Sequence, residues 1–295
     1  MSRLLKLTGA VAHPSASVIF FHGLGGDPRD TWQRESDPGS FWPLWLAEDI
    51  PGLAIYSVDY EAPVSSWRGA GMHPSDRAKN LLARLLVERD LQEGPLILIG
   101  HSLGGLVIKH LLRTAESESH KRTSAASLIQ RVKKVAFLAT PHTGSGMAVW
   151  ANRLRMFIRP SAATASMVRN DPNLRELNDW YRNWTGTEGI DTLTLVEMKS
   201  TRVFGTIVRP DSSDPGVAGS LTVPIDANHT EICKPEDRSS EVYVQVRAFV
   251  ERQIEPRTGL AEKQLSAATS KIATSSNITN NITMNIYIIQ RETNK

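Results

Sequence analysis

Ser102 stands in Gly100-His101-Ser102-Leu103-Gly104-Gly105, directly after the apolar run Pro95-Leu96-Ile97-Leu98-Ile99. A serine between glycines at a strand-to-helix corner is lifted out of the fold, because the turn is too sharp and crowded for neighbouring side chains. A serine hydroxyl is a poor nucleophile at neutral pH. It needs a base within hydrogen-bond reach and a third group that holds the base in the right tautomer. The chemistry served by such a set is acyl transfer through a covalent intermediate. The surrounding pattern supports it: Leu96 to Ile99 reads as a buried parallel strand, and Leu106, Val107, His110 and Leu111 recur at helical spacing behind the serine.

Of the eight histidines, His110, His120, His142 and His229 follow Ser102. His110 lies two turns along the helix and His120 in a polar stretch, so neither returns to the serine. His229, in Ile225-Asp226-Ala227-Asn228-His229-Thr230-Glu231, follows the last strand in a polar loop, where a base belongs. His142, in Thr140-Pro141-His142-Thr143-Gly144, follows a strand end and is the alternative. For the acid, Glu197 ends an apolar strand between serine and base. A carboxylate buried there without a partner would be costly. Asp211, after Val208-Arg209-Pro210, is its main rival, and Asp226 a second.

Acyl transfer also needs two backbone N–H groups aimed at the developing oxyanion. Leu103, at the helix N-terminus just after the serine, offers one. Leu24, in His22-Gly23-Leu24-Gly25-Gly26, offers the other, since the glycines let backbone approach substrate. That loop lacks the lysine of a nucleotide-binding G-x-x-x-x-G-K turn. His22, Gly23, His101 and His142 border these groups and are the expected substrate-binding residues. Cys233, the single cysteine, reads as a small core residue because a better-placed nucleophile already exists.

Positioning these residues requires an alternation of strands and helices. Ser17 to Phe21 and Leu53 to Asp59 read as strands. A helix is expected from about Ser40 to Asp49, and another capped by Ser75-Asp76 with a Leu81, Leu82, Leu85, Leu86 stripe. A polar basic stretch from Glu116 to Lys134 leads into the strand Val135 to Ala139. Thr192 to Glu197 and Arg202 to Val208 are further strands, and a closing helix runs from about Ser239 to Gln253. The expected class is α/β, a right-handed, mostly parallel sheet covered on both faces. Residues 1–254 form the catalytic domain, and beyond Glu255-Pro256 the composition shifts to Ala, Ser, Thr, Asn and Lys.

The 295 residues, 40% hydrophobic, suffice for one large core. A net charge of +3 is too mild to suggest nucleic acid. No run approaches the roughly 18 apolar residues of a membrane span. Lys6 interrupts the N-terminal stretch where a signal peptide needs its apolar centre. With one cysteine, these features lead to an expected cytoplasmic location.

Taken together, His22-Gly23-Leu24-Gly25-Gly26, Gly100-His101-Ser102-Leu103-Gly104-Gly105, Ala139-Thr140-Pro141-His142-Thr143-Gly144-Ser145 and His229-Thr230-Glu231-Ile232-Cys233-Lys234-Pro235 resemble the α/β-hydrolase superfamily. Within it they look like the lipase/esterase branch that includes serine-active-site proteins and the hydrolase effector domains of NOD-like receptors. The resemblance spans about Val18 to Val250. It implies hydrolysis of acyl or lipid esters with no metal or organic cofactor. Two other classes share these residues: amide or thioester hydrolases, and a signalling module that uses the fold for assembly.

Two segments stand apart. Met147 to Trp184 carries six arginines and three acidic residues along with Trp150, Phe157, Trp180, Tyr181 and Trp184. It reads as a helical cap with aromatics inside and arginines on a solvated face, the alternative being transient contact with a membrane surface. Residues 277–289 alternate Asn277, Thr279, Asn281, Thr283 and Asn285 with Ile278, Ile282, Met284, Ile286 and Ile288. That is a strand pattern suited to stacking of copies, hence an expected homo-oligomer.

Overall fold

A strand buried on both faces is apolar along its length, and Val18 to Phe21 and Leu96 to Ile99 are such runs. In a computed structural model the described residues are 2–9, 11, 13–35, 37–60, 74–142, 172–200, 208 and 213–252. In chain order they form β1 (Arg3–Lys6), β2 (Ala16–Phe21), α1 (Pro43–Asp49), β3 (Leu53–Asp59), α2 (Pro74–Val87), β4 (Leu96–His101), α3 (Leu103–Ser119), α4 (Thr123–Arg131), β5 (Val132–Leu138), α5 (Pro172–Glu188), β6 (Asp191–Glu197), β7 (Leu221–Ile225) and α6 (Glu241–Glu251). The strands make one sheet in the order β1-β3-β2-β4-β5-β6-β7, with β1 antiparallel and the rest parallel. This is the mostly parallel α/β sheet expected from the sequence.

The alternation of side chains sorts the core into two layers. Ile19, Phe21, Leu96, Leu98, Val135 and Phe137 meet α2, α3, α4 and α5 through Leu85, Leu106, Leu128 and Tyr181. Val18, Phe20, Ile97, Ile99, Ala136 and Leu138 meet Trp32, Trp42, Leu46, Tyr243, Val246 and Phe249 on the opposite face. Phe20 takes both indoles edge-on, at 5.0 Å and 5.1 Å between ring centroids. The register pairs Phe21 with Gly100, Gly100 with Phe137, Leu138 with Leu195 and Glu197 with Ile225. Every strand from β2 to β7 therefore ends at one rim, where open α/β sheets place their chemistry.

Several expectations are corrected. The stretch Glu116 to Lys134 is the end of α3, then α4 and the start of β5. Ala125, Leu128 and Ile129 supply a buried helical stripe among the polar residues. Lys134 stays inside β5 because its amine donates to the carbonyls of Phe249, at 2.8 Å, and Arg252, left unpaired where α6 ends. The helix before β3 starts at Pro43, after a short 3₁₀ turn at Pro38–Ser40. Pro74 opens α2, which moves Ser75 and Asp76 into its first turn. Residues 172–184 are not cap: they belong to α5, whose Leu177, Tyr181 and Trp184 are part of the core beneath the sheet. The rest of the expected cap, the strand at 202–207, Asp211 and the 277–289 segment lie outside the described residues.

Candidate active site

The corner between β4 and α3 is strained at its serine. Ser102 has φ 54° and ψ −123°, a left-handed conformation rare for a side-chain-bearing residue. Two backbone bonds hold it there: Ser102 N–H donates to the Leu138 carbonyl at 2.9 Å, and Gly105 N–H to the Ser102 carbonyl at 3.1 Å. The flanking glycines answer a crowding problem. A Cβ at Gly104 would sit 2.1 Å from the Phe21 carbonyl oxygen, and one at Gly105 2.2 Å from Thr140 Oγ1. The first turn of α3 is thus wedged between the ends of β2 and β5. Gly23 presses on the serine from the other loop, where an added Cβ would meet Ser102 Cβ at 3.0 Å.

Three side chains converge at the rim. His229 Nε2 is 3.0 Å from Ser102 Oγ, and His229 Nδ1 is 2.8 Å from Glu197 Oε2. The second oxygen, Glu197 Oε1, accepts the Val208 N–H at 2.5 Å. Ser102 is 1% exposed, His229 2% and Glu197 0%. Because the carboxylate accepts, Nδ1 carries the ring proton and Nε2 presents a lone pair to the serine hydroxyl. The loop bearing His229 is fixed locally. Asn228 Oδ1 accepts the N–H groups of Thr230 and Glu231, and Glu231 Oε2 accepts the N–H of Asn228 in return. That Asn-x-x-Glu spacing, a capping pattern, was readable in the sequence.

Of the acids weighed from sequence, the structure brings Glu197 to His229. Asp226 faces outward and pairs with Lys199 at 2.9 Å. His142 goes elsewhere: its Nδ1 lies 2.7 Å from Lys109 Nζ, which also donates to Asn178 Oδ1 at 2.6 Å, and its ring stands edge-on to Phe137. Burial holds the Lys109 amine well below its ordinary range. His22 and His101 border the site with their rings turned onto backbone. His22 Nδ1 donates to the Gly23 carbonyl at 2.9 Å while stacking on Tyr60, whose hydroxyl donates to the His22 carbonyl. His101 Nε2 lies 2.9 Å from the carbonyl oxygen of His229. Tyr60, Lys109 and Asn178 carry no signal in the sequence that marks them as part of this region. The Cys233 thiol, pushed up to about 12 by burial, is an unreactive core group.

Burial also keeps three imidazoles uncharged. It lowers His22, brings His101 down to about 3 with help from the facing His229, and holds His142 well below 6.5, with the Lys109 charge adding to the effect. In the unfolded chain each would take a proton near pH 6.5. Below that pH the unfolded state therefore binds more protons, and folding stability falls as pH drops. His101, brought down to about 3, contributes about 1.4 kcal/mol per pH unit over this range, and His142 and His22 act in the same direction. Urea midpoints should decline steeply between about pH 6.5 and pH 5; a constant midpoint over that range would contradict the burial of these rings.

A cleft adjoins the serine through Gly23, Leu24 and His101 and runs outward past Ala227 and Thr230. Its farther walls are charged, with Arg34 bound to Glu236 at 2.8 Å. Among the described residues no group of three His, Cys, Asp or Glu side chains is placed to hold a metal ion, and no helix is long and apolar enough to cross a membrane.

Known proteins resemble this chain in sequence and in fold. Protein SERAC1 from Bos taurus is 30% identical over 259 residues, covering 80% of this chain and 38% of that protein. The Danio rerio protein of the same name is 31% identical over 261 residues, with 80% and 39% covered. The chain thus spans under two-fifths of the length of these relatives. Among solved structures, the mature lipase BlEst2 of Bacillus licheniformis superposes with a TM-score of 0.58 at 17% identity, covering 84% of this chain and 98% of that one, a likeness of fold alone. The profile of the Alpha/beta hydrolase family matches residues 18–258. With most of its length inside that match, this chain belongs to the alpha/beta hydrolase family.

Proposed function

We propose that the chain is a serine hydrolase that cleaves carboxylic esters through an acyl-enzyme on Ser102. The observation that carries this reading is the unbroken series Ser102 Oγ, His229 Nε2, His229 Nδ1, Glu197 Oε2, at 3.0 Å and 2.8 Å, with all three residues buried. Ser102 Oγ attacks the ester carbonyl as its proton passes to His229 Nε2, and Glu197 stabilises the resulting imidazolium. The tetrahedral oxyanion is received by the N–H groups of Leu103 and Leu24. Collapse returns the proton to the departing alcohol and leaves the acyl group on Oγ. Water, deprotonated by the same nitrogen, then releases the acid.

No metal or organic cofactor takes part in these steps. The neighbouring cleft, polar on its outer walls, favours a modest acyl group or a polar alcohol beside the serine. A panel of p-nitrophenyl esters from acetate upward, run beside phospholipid vesicles, tests this reading. Short esters should be turned over fastest, and a protein inactive on every member would overturn it. Residues 277–289 are assigned a self-association role on their alternation of amide and aliphatic side chains. Truncation after Glu255 should shift light scattering toward a monomer while leaving ester turnover unchanged.

A further inference from the structure

His101 immediately precedes the serine, and its ring reaches across 128 positions of sequence to the loop of the base. Its Nε2 is 2.9 Å from the His229 carbonyl oxygen, and the two rings stand 4.9 Å apart, tilted by 46°. A carbonyl oxygen only accepts, so Nε2–H is the donor and Nδ1 carries a lone pair. Trp32 meets the ring edge-on at 6.4 Å between centroids, and His101 is 7% exposed. Nδ1 has no hydrogen-bond partner among the described residues. A buried polar ring kept with one nitrogen unsatisfied is held there by what the other nitrogen does.

We propose that His101 is a positioning residue for the base, clamping the main chain of His229 to the corner that carries Ser102. This rests on the serine-hydrolase reading above. Nucleophile and base come from loops with separate supports. Ser102 is tied to β5 through Leu138, whereas the His229 loop is tied to itself through Asn228 and Glu231, to the end of β6 through the Lys199 N–H, which donates to the Ala227 carbonyl at 3.0 Å, and further on to Trp42, whose indole N–H donates to the Cys233 carbonyl at 2.9 Å. The His101 bond joins the two loops directly. Because its single ring proton is committed to backbone, His101 does not contact substrate through that nitrogen. Burial keeps the ring neutral, so it adds no positive charge beside the imidazolium that His229 becomes during turnover. A misplacement of a catalytic group by about 1 Å costs on the order of 10²-fold in rate, which sets the size of the effect.

The test compares full-length wild type with His101→Phe and His101→Gln. Phenylalanine preserves a ring against Trp32 and removes the unsatisfied nitrogen along with the donor, so the fold should persist in thermal denaturation. Glutamine keeps an N–H donor. On a p-nitrophenyl ester, His101→Phe should lose about 10- to 100-fold in kcat with KM changed less than about twofold, and His101→Gln should recover most of the loss. The proton shared by His229 Nδ1 and Glu197, read as a far-downfield proton NMR signal, should be present in wild type, lost or broadened in His101→Phe and restored in His101→Gln. Wild-type kcat with an intact signal in His101→Phe would overturn the proposal. So would a His101→Gln protein as impaired as His101→Phe, because packing rather than the donor would then be at work. If wild type turned over no ester, the hydrolase reading would fall; the same loss and recovery of the NMR signal would still support the clamp, and its absence would overturn it.

Discussion

Ser102→Ala is expected to leave a folded protein that no longer hydrolyses esters and no longer reacts with a fluorophosphonate probe. The substitution removes the hydroxyl proposed to attack, while the strained corner, the wedge of Gly104 and Gly105 and the two backbone bonds at residues 102 and 105 remain. Rate should fall by roughly 10⁴-fold or more, with residual activity coming from the oxyanion donors and substrate binding. The stability change should be small, about 1 kcal/mol, since one neutral hydrogen bond to His229 is lost. Circular dichroism checks the fold, and gel fluorescence checks the labelling. Undiminished labelling of the alanine protein would place the nucleophile elsewhere.

Glu197→Gln should be nearly as damaging, and the reason lies in its two oxygens. Oε1 accepts the Val208 N–H, so a glutamine must keep its carbonyl oxygen there and turn its amide nitrogen toward His229 Nδ1. An N–H facing Nδ1 forces the ring proton to Nε2, where it points at the serine hydroxyl in place of a lone pair. The wrong tautomer and the lost charge together should lower kcat by about a thousandfold or more with little change in KM. Asp211→Asn should cost far less. A reversal of those two outcomes, measured by steady-state kinetics on one short ester, would move the acid from β6 to the segment after Val208.

What was legible in the sequence follows from how local its physical cause is. The serine corner was readable because a strand buried on both faces shows as an unbroken apolar run, and because crowding at Gly104 and Gly105 admits only glycine. Glu197 was readable as a costly buried carboxylate at a strand end. The stripe of α4 was hidden among lysines and arginines, one of which, Lys134, is buried for a reason lying 115 positions away at Phe249. The aromatics of α5 read as a cap because composition alone does not say what they face; Leu177, Tyr181 and Trp184 recur at i, i+4 and i+7 and cover the sheet. His22 and His101 read as substrate-binding for a similar reason. Their place beside the oxyanion loop and the serine is local information, whereas the direction of each ring depends on Tyr60 and His229, which only the fold brings near.

The most direct measurement traps the covalent intermediate. Wild-type protein mixed with a p-nitrophenyl ester and quenched in acid within the burst phase should gain the mass of one acyl group. Peptide mass spectrometry should place that group on Ser102, in stoichiometry with the p-nitrophenol burst. Steady product release with no acyl group on Ser102, or an acyl group on another residue, would contradict the assignment of this serine as the nucleophile.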